Sequence, residues 1–456
     1  MNLTLKQIAE WTHGTVAPEY ETVVISDITT DSREVKPGQL FIPLTGEHFD
    51  GHDYIMAAMQ HCAATLSERR LEQQVPVVYV SDTEKAFGDI ARGYRQTLKL
   101  KVIGITGSVG KTTTKEMIAG VLAAKYKTAK TEGNHNNQIG LPKTILGIEE
   151  DCQAAVLELG MNHFGEMSYL TSIAQPDVAV MTNIGTVHIE HLGSREGILK
   201  AKLEITEGIS KNGCLILNGD EPLLWNLKGT LPFTMLYFGL ENPGCDLRAR
   251  NIMLHDDGVS FHVEGMRADF EIYVPAPGRH NIYNALAAIL VGIRAGIEPQ
   301  RMQKALANFQ NTGMRQKIYE ENGFTIIEDC YNAGPESMEA ALEVLAQRAC
   351  SGRRIAVLGD MLELGNCSMA EHYKVGRLAA MKADMVFAYG NNASRIVTGA
   401  ITGGMPSSRA VHFDSHEQMA KVVRSRAQPG DVLLFKGSRG MRMEHVLSLF
   451  LNREGE

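Results

Sequence analysis

A glycine-rich stretch in the first third of the chain carries the clearest chemical signal. KVIGITGSVGKTTTKEMIAGVL joins an apolar, strand-like run to a loop with Gly107 and Gly110, and a helical pattern begins at Lys111. In such a loop backbone amides approach a phosphate, a lysine offsets phosphate charge, and the hydroxyl of Thr112 can ligate magnesium. The strict G-x-x-x-x-G-K-[ST] pattern is not met, because Ile105 stands five residues before Gly110. A phosphate-binding loop is predicted, and a glycine-rich turn without a ligand is the alternative.

Two more polar residues stand where strands of the same segment end. Glu158 lies at the end of AAVLELG, and His188 follows VAVMTNIG. Because loops at the carboxyl ends of parallel strands converge on a ligand, both side chains could ligate a metal. An imidazole suits Mg²⁺ less well than oxygen ligands do, so His188 taken alone is interpreted as a polar loop histidine.

Basic residues further along the chain have more than one interpretation. The segment GILKAKLEITEG places Lys200, Lys202 and Glu204 on a helix, and this pattern is typical of a solvated helix face. In LLFKGSRGMRMEHV, Lys436 and Arg439 lie in a glycine-rich loop after a strand. That loop and the strand end in DCYNAGPESM could each bind an anion.

The elements that must position these residues fall into three segments, and the predicted fold class is α/β with three domains. Residues 1–98 open with a capping-box pattern, TLKQ, and continue with the alternating stretch VVISDITTDSREVKPGQLFIPL, which contains a Pro-Gly turn. They predict a small α/β domain. Residues 99–312 alternate apolar strands and helices, which predicts a parallel sheet, with a β-rich insert near 234–275. Together with the phosphate-binding loop this predicts a P-loop ATPase domain. Residues 313–456 hold five strands with intervening helices and predict a Rossmann-like domain.

Length and composition bound the function classes. The 456 residues exceed one typical domain, and 45 Lys and Arg against 53 Asp and Glu leave a net charge of −8. This balance gives no general attraction to nucleic acid or to anionic lipid. The first residues lack a signal-peptide pattern and no apolar run is long enough to span a bilayer, so we expect a cytoplasmic protein without membrane insertion. Seven scattered cysteines without a C-x-x-C pair predict reduced thiols, and a monomer is expected.

Taken in order, the motifs of the chain closely resemble those of the Mur ligases of bacterial peptidoglycan synthesis. The resemblance covers essentially the whole length and rests on TGSVGKTTTKE, TEGNHNNQIGLP, LELGMN, TNIGTVHIEHLGS, AKLEI, LNGDE, GRHNIYNALAA, DCYNAGPESM, VLGDMLELG and LFKGSRGMRME. The stretch DSREVKPGQLFIPLTGEHFDGHDY looks like a uridine-nucleotide-binding domain, which folylpolyglutamate synthases lack. It implies the subgroup that acts on UDP-N-acetylmuramoyl-tripeptide, D-alanyl-D-alanine and ATP.

The resemblance implies a reaction and a set of catalytic groups. A peptide carboxylate takes the γ-phosphoryl group of ATP, and an amine attacks the resulting acyl phosphate to form an amide, with ADP and phosphate released. Lys111 and Thr112 would hold the triphosphate and magnesium, and Glu158 and His188 would be metal ligands. Lys202 matches the family lysine that carries a carbamate derived from CO₂, which reverses the interpretation as a solvated face.

The same resemblance assigns further residues to binding. The nucleotide would be held by Gly107, Ser108, Gly110, Lys111, Thr112, Thr113, Asn281, Arg315, Asp329 and Asn332. The other substrates would be held by Asp31, Ser32, Arg33, His48, His52, Asn134, Asn137, Lys436, Ser438 and Arg439. Gly334 departs from the common family form, which has asparagine there, and weakens any role for that position.

Three alternatives are open at this point. Another ligase of the superfamily, which adds the third peptide residue or glutamate to folate, would differ in the amine it prefers. A P-loop phosphotransferase or regulatory ATPase would use phosphate without forming an amide, and a nucleotide-binding module would have no catalysis. Whether the third residue of the acceptor peptide is diaminopimelate or lysine is not encoded in any motif.

Overall fold

The computed structural model describes residues 1–266, 268–311 and 313–452, and within them three α/β domains follow one another along the chain. Each domain has one principal sheet, built from one uninterrupted stretch of sequence. The predicted boundary residue 312 and the final residues 453–456 lie outside the described part. The domain limits 98/99 and 312/313 stay predictions.

The first domain holds a five-stranded sheet. The domain as a whole has seven strands, of which five form this sheet. They are β1 (Leu3–Thr4), β2 (Thr15–Val16), β3 (Val24–Ile25), β4 (Asp27–Thr29), β5 (Gln39–Phe41), β6 (Ala64–Ser67) and β7 (Val77–Tyr79). Its helices are α1 (Leu5–Thr12), α2 (Ile55–Ala58) and α3 (Thr83–Thr97). The sheet order is β2-β7-β6-β5-β4, and β1 pairs with β3 separately. The predicted capping box of α1 is confirmed, since the Gln7 amide donates to Thr4 Oγ1 at 3.3 Å and the Thr4 amide donates to Gln7 Oε1 at 2.9 Å.

The alternating stretch of the first domain forms only short strands, with a loop between β4 and β5. The reason is the turn at Gly38, whose φ of 84° is left-handed. A side chain there would also meet Ser26, because an added Cβ would lie 2.6 Å from its hydroxyl. The Pro-Gly turn predicted within this stretch is therefore confirmed, and it lies just before β5.

The central domain is built on nine strands. These are β8 (Lys101–Thr106), β9 (Thr128–Lys130), β10 (Ala154–Glu158), β11 (Val178–Met181), β12 (Cys214–Asn218), β13 (Thr234–Gly239), β14 (Leu247–Leu254), β15 (Val259–Gly265) and β16 (Ala268–Val274). The helices are α4 (Lys111–Ala123), α5 (Gly140–Leu146), α6 (Glu166–Ala174), α7 (Ile189–Leu192), α8 (Arg195–Leu203), α9 (Pro222–Trp225), α10 (His280–Arg294) and α11 (Pro299–Ala307).

The order of this sheet explains where its chemistry lies. It runs β16-β15-β14-β13-β12-β11-β8-β10-β9, parallel from β9 to β14 and antiparallel over the last two strands. The predicted β-rich stretch is present, and it continues the central sheet rather than forming a sheet of its own. Strand β8 lies between β10 and β11, so the loops after these three strands converge at one edge.

The third domain confirms the five predicted strands and adds one. Its strands are β17 (Lys317–Glu321), β18 (Phe324–Asp329), β19 (Arg354–Gly359), β20 (Met385–Tyr389), β21 (Ala410–Phe413) and β22 (Val432–Lys436). Its helices are α12 (Pro335–Gln347), α13 (Ser368–Lys382), α14 (Ser394–Thr402), α15 (His416–Arg426) and α16 (Met443–Leu451). The order is β17-β18-β22-β19-β20-β21, all parallel except β17. The missed strand β17 pairs through a tight turn at Asn322 and Gly323, both with positive φ, which is a sequence signal for a hairpin.

The large apolar clusters are distributed unevenly among the three domains. One apolar cluster runs from the first domain into the central domain, and a second cluster fills the central domain under α4 and α10. The third domain has two clusters on the faces of its own sheet. No helix within the described residues is long and apolar enough to cross a membrane.

Candidate active site

The predicted phosphate loop lies between β8 and α4, with α4 beginning at Lys111 as expected. Gly107 and Gly110 have φ of 145° and 86°, a region that favours glycine. An added Cβ at Gly107 would lie 1.9 Å from Thr182 Oγ1, so no side chain fits there. The loop is held from β11 by Asn183, whose Oδ1 accepts from the Val109 amide at 2.9 Å. Strand, loop and helix thus match the phosphate-loop prediction.

Lys111 turns back onto the loop. Its Nζ donates to the Gly107 carbonyl at 2.8 Å. Burial lowers the pKa of Lys111, the Glu158 carboxylate opposes that shift, and the Arg315 guanidinium adds to it. Among the described residues that carbonyl is the only hydrogen-bond partner of Lys111, and a poorly hydrated lysine with one partner gains from an incoming anion.

Glu158 is the centre of a small oxygen cluster at the end of β10. It is 1% exposed, Oε2 accepts from the Thr112 hydroxyl at 2.7 Å, and Oε1 accepts from Asn136 Nδ2 at 2.9 Å. The Glu158 amide donates to Thr131 Oγ1 at 3.0 Å, which fixes the strand end. Carboxylate and hydroxyl oxygens side by side are the donors that Mg²⁺ prefers, so these residues fit the metal that the resemblance implies.

Lys202 is not on a solvated face. It is 2% exposed, whereas its neighbour Lys200 is exposed, so the interpretation from the helical pattern was wrong for Lys202. Within the described residues its amine has no hydrogen-bond or ion-pair partner. Burial, with the charge of Lys111 as a smaller cause, holds the pKa of Lys202 well below its usual value. A buried amine without a partner and with a lowered pKa loses its proton more readily than an ordinary lysine, and the unprotonated amine is the form that reacts with electrophiles.

His188 stands at the start of α7 with a left-handed φ of 66°. Its Nδ1 meets Glu363 Oε2, which belongs to the third domain. That contact lowers the pKa of Glu363. In the described part of the chain no group of three or more His, Cys, Asp or Glu is arranged to hold a metal. The ligand set of Thr112, Glu158, His188 and Lys202 therefore stays a prediction.

The third domain presents a second set of polar groups. Lys436, 2% exposed at the end of β22, donates to Asp329 Oδ2 at 2.6 Å and to the Asn332 carbonyl at 2.9 Å. The Arg315 guanidinium stacks 4.0 Å from the centre of the Tyr331 ring. Predicted residues at the ends of β18 and β22 thus come together.

Two predicted site residues lie in the loop after β22, and one of them, Ser438, is buried while the other, Arg439, is exposed. The Ser438 hydroxyl donates to the Ala333 carbonyl at 3.1 Å and is 3% exposed. Arg439 is exposed and pairs with Glu444 at 2.9 Å.

At Gly334, just before α12, an added Cβ would lie 2.6 Å from Val187 of the central domain. Glycine in place of the family asparagine allows this close approach of the two domains.

A cleft of about 430 Å³ separates these two sets of residues. Its walls include the predicted residues Ser108, Gly110, Lys111, Thr113, Asn134, Asn137, Glu158, His188, Arg315, Asp329, Asn332 and Lys436. Among the described residues the wall does not include Gly107, Thr112, Lys202, Asn281, Ser438 or Arg439. The cleft joins the phosphate loop to the third domain.

Asn281, predicted to contact adenine, is engaged inside the protein. It is 1% exposed, its Nδ2 donates to the Pro277 carbonyl at 2.8 Å, and its Oδ1 accepts from Asn284 Nδ2 at 3.0 Å. Asn284 in turn accepts from the Thr114 hydroxyl at 3.0 Å through Oδ1. In this arrangement Asn281 links α10 to the helix that carries the phosphate loop.

The first-domain residues lie apart from the cleft. Arg33 pairs with Asp31 at 2.6 Å, and its hydrogen bonds lower the pKa of Asp31 to about 2. His52 is buried and its Nδ1 lies 2.8 Å from Asp50 Oδ1, which is a structural contact, while Ser32 is partly exposed. His48, the last of the predicted set, is exposed. None of these predicted residues lines the cleft.

Sequence reasoning missed Asn136 and Glu363. Asn136 lies between the two asparagines chosen in GNHNN, so the signal was present and incompletely used. Glu363 lies in VLGDMLELG, and no spacing could place it opposite His188, because the two residues belong to different domains.

Known proteins resemble the chain along its length. The family models described as Mur ligase family, catalytic domain, Mur ligase middle domain, and Mur ligase, glutamate ligase domain match residues 24–95, 105–292 and 314–439. The UDP-N-acetylmuramoyl-tripeptide–D-alanyl-D-alanine ligase of Bacillus subtilis is 42% identical over 97% of each chain. The Escherichia coli ligase of the same name is 35% identical over 98% of each.

Solved structures give the same result. A crystal structure of MurF from Acinetobacter baumannii superposes with a TM-score of 0.91 at 32% identity and covers 99% of both chains. The MurF ligase of Thermotoga maritima in complex with ADP has a TM-score of 0.84 at 30% identity, over 94% of this chain and 98% of that one.

Proposed function

Because the chain belongs to the Mur ligase family, we propose that it is the ATP-dependent ligase that joins D-alanyl-D-alanine to UDP-N-acetylmuramoyl-tripeptide. The product is the UDP-N-acetylmuramoyl-pentapeptide used for peptidoglycan. Full-length relatives named for this reaction are 30–42% identical to the chain, which supports this ligase over the third-residue-adding and folate ligases.

The observation that carries the proposal is the cleft between two charged walls. On one side Lys111 lies on the phosphate loop beside Glu158, and on the other Lys436 pairs with Asp329. A peptide carboxylate and a triphosphate repel each other, and positioned cations offset that repulsion. Lys111 holds phosphate oxygens, while the third-domain wall orients the attacking amine and the carboxylate it meets.

Magnesium belongs to the same proposal. Thr112 and Glu158 would hold it, with His188 and Lys202 as further ligands. When bound, the metal neutralises charge on the phosphates and on the activated carboxylate. The buried, unpartnered amine of Lys202 supports carbamylation by CO₂, in which the lone pair of the unprotonated amine attacks the carbon and the nitrogen releases a proton to solvent. The product would be an anionic carbamate whose oxygens could ligate the metal.

Binding of the nucleotide sugar is proposed for the first domain. Asp31, Ser32 and Arg33 are candidates for the diphosphate, with His48 near them in sequence and His52 in support. A cavity of about 600 Å³ lies between the first and central domains. Gln138 lines both this cavity and the cleft of about 430 Å³ beside the phosphate loop. This shared residue supports a path from the first domain to the phosphate loop. We further propose that the protein acts in the cytoplasm and as a monomer.

The test is release of phosphate from ATP and Mg²⁺ with UDP-N-acetylmuramoyl-tripeptide, with and without D-alanyl-D-alanine, and mass detection of the product. We expect release only with all substrates present, and one new amide. Both the diaminopimelate and the lysine tripeptide are supplied, since the third residue is open. Release that is indifferent to the dipeptide, without a pentapeptide, would contradict the proposal.

A further inference from the structure

We propose that Glu363 is a positioning residue that couples closure of the third domain to the orientation of His188. The inference rests on the proposed function, because it concerns the same cleft. Among the described residues, His188 is the only hydrogen-bond or ion-pair partner of the Glu363 side chain, so Glu363 acts through that imidazole.

The contact between the two residues crosses the domain boundary twice. Glu363 Oε2 meets His188 Nδ1, and the Glu363 carbonyl accepts from the Glu190 amide at 3.4 Å. Two residues later, Gly365 packs on Glu190, since an added Cβ there would lie 3.2 Å from the Glu190 Cβ. Side chain and backbone of one third-domain turn therefore hold one central-domain segment.

The backbone on both sides of this contact is unusual. His188 and Glu363 have φ of 66° and 62°, in the left-handed region that residues with side chains rarely adopt. Such conformations persist only where the surroundings impose them, and they cluster at functional sites. Here two of them face each other across one hydrogen bond.

The chemistry of imidazole gives the contact its consequence. A metal-binding histidine usually donates one ring N–H to a carboxylate, which leaves the lone pair of the other nitrogen for the metal. Within the described residues the His188 ring has no other hydrogen-bond partner, whereas Glu158 is held by two residues of its own domain. The carboxylate that orients His188 belongs to the domain across the cleft. The imidazole is therefore oriented only when the third domain lies against the central one.

The experiment compares Glu363→Gln with Glu190→Gln. The control removes the same charge from the same interface, and the Glu190 carboxylate makes no hydrogen bond or ion pair among the described residues. Mn²⁺ binding is measured by the loss of its free EPR signal, with a non-hydrolysable ATP analogue and the tripeptide substrate present. Removing a group that orients a metal ligand typically costs about 10- to 100-fold in metal affinity or activity. We expect that loss in Mn²⁺ affinity and in kcat for Glu363→Gln, an unchanged KM for the dipeptide, and wild-type values for Glu190→Gln.

A double-mutant cycle with His188→Gln tests the route of the effect. If Glu363 acts through His188, its substitution adds nothing once His188 is absent. Glu363→Asn, which tolerates the left-handed backbone, serves as the second variant where Glu363→Gln lowers Tm. Wild-type Mn²⁺ affinity in a folded Glu363 variant, or additive effects in the cycle, would overturn the inference. Failure of the wild type to form pentapeptide would instead overturn the proposed function.

Discussion

The two interfaces of the central domain differ in kind. The first domain shares a continuous apolar core with it, and Tyr94 and Arg95 of α3 donate to carbonyls of the central domain at 2.7 and 3.1 Å. The third domain meets it through polar contacts such as Thr186 Oγ1 to Glu336 Oε1 at 3.1 Å, beside an open cleft. The other Glu336 oxygen is buried and has no partner in the described structure. An apolar interface resists opening, whereas a polar one with unfilled hydrogen bonds can open and hydrate, so we expect the third domain alone to move with ligand.

The largest expected effect is a loss of stability, from a mutation in the apolar interface between the first and central domains. Tyr94 is 2% exposed and its hydroxyl donates to the Ile148 carbonyl. Tyr94→Ala should cost about 3–5 kcal/mol, as typical for a buried aromatic residue. Denaturant unfolding measures the loss, and Tyr54→Ala, half exposed in the same domain, should stay within about 0.5 kcal/mol of the wild type. A similar small effect for both would mean that the first domain is not held by this core.

A mutation in the polar cleft between the central and third domains should lower the turnover rate and leave the stability of the fold unchanged. Lys111→Ala removes the cation of the phosphate loop and should lower turnover by about 10²- to 10³-fold. Because Lys111 is a desolvated cation in the free protein, thermal unfolding should show no loss of Tm. Phosphate release and a melting curve on the same sample measure both effects. Near-normal turnover would remove the phosphate-loop assignment.

Helix α8 allows a comparison of a buried lysine, Lys202, with an exposed one, Lys200. Lys202→Ala should lower turnover on the order of 10²-fold, and a short carboxylic acid should partly restore it by replacing the carbamate oxygens. Lys200→Ala, two residues away and exposed, should match the wild type. Mass spectrometry of an active sample with an unmodified Lys202, or no rescue, would count against a carbamate.

The smallest effect is expected for the ion pair between Asp31 and Arg33, which belongs to neither interface. Asp31 has a pKa of about 2 against an ordinary 3.8, because Arg33 hydrogen-bonds to it. A lowered pKa stabilises the fold above pH 3.8, and that contribution is lost as pH falls toward 2. Arg33→Ala should move the titration midpoint of Asp31 up toward its ordinary value, followed by carboxyl ¹³C NMR. Arg70→Ala, also exposed, should leave it unchanged.

The sequence predicted what local pattern determines. The phosphate loop, the helix start at Lys111 and the five strands of the third domain follow from periodicity, glycine and chain order. Strand ends also placed Glu158 correctly, because parallel strands bring their carboxyl ends together.

What the sequence could not predict depends on contacts between distant segments. The helical pattern around Lys202 is the same whether that face meets water or the interior of the protein, so only packing distinguishes the two cases. The partner of His188 comes from another domain, and the internal hydrogen bonds of Asn281 depend on α4 and α10 lying side by side. Burial and domain contacts therefore decided the roles that motifs alone left open.

The strand order of the third domain has a consequence for biosynthesis. Strand β22 lies in the middle of that sheet, between β18 and β19, although it is the last strand in the chain. A ribosome that has made β17 to β21 has therefore made two groups of strands without the one that joins them. The sheet cannot form before residue 436 has been synthesised, whereas the sheets of the first two domains can form earlier. A chain that stops short of β22 would hold the phosphate loop without the opposite wall of the cleft.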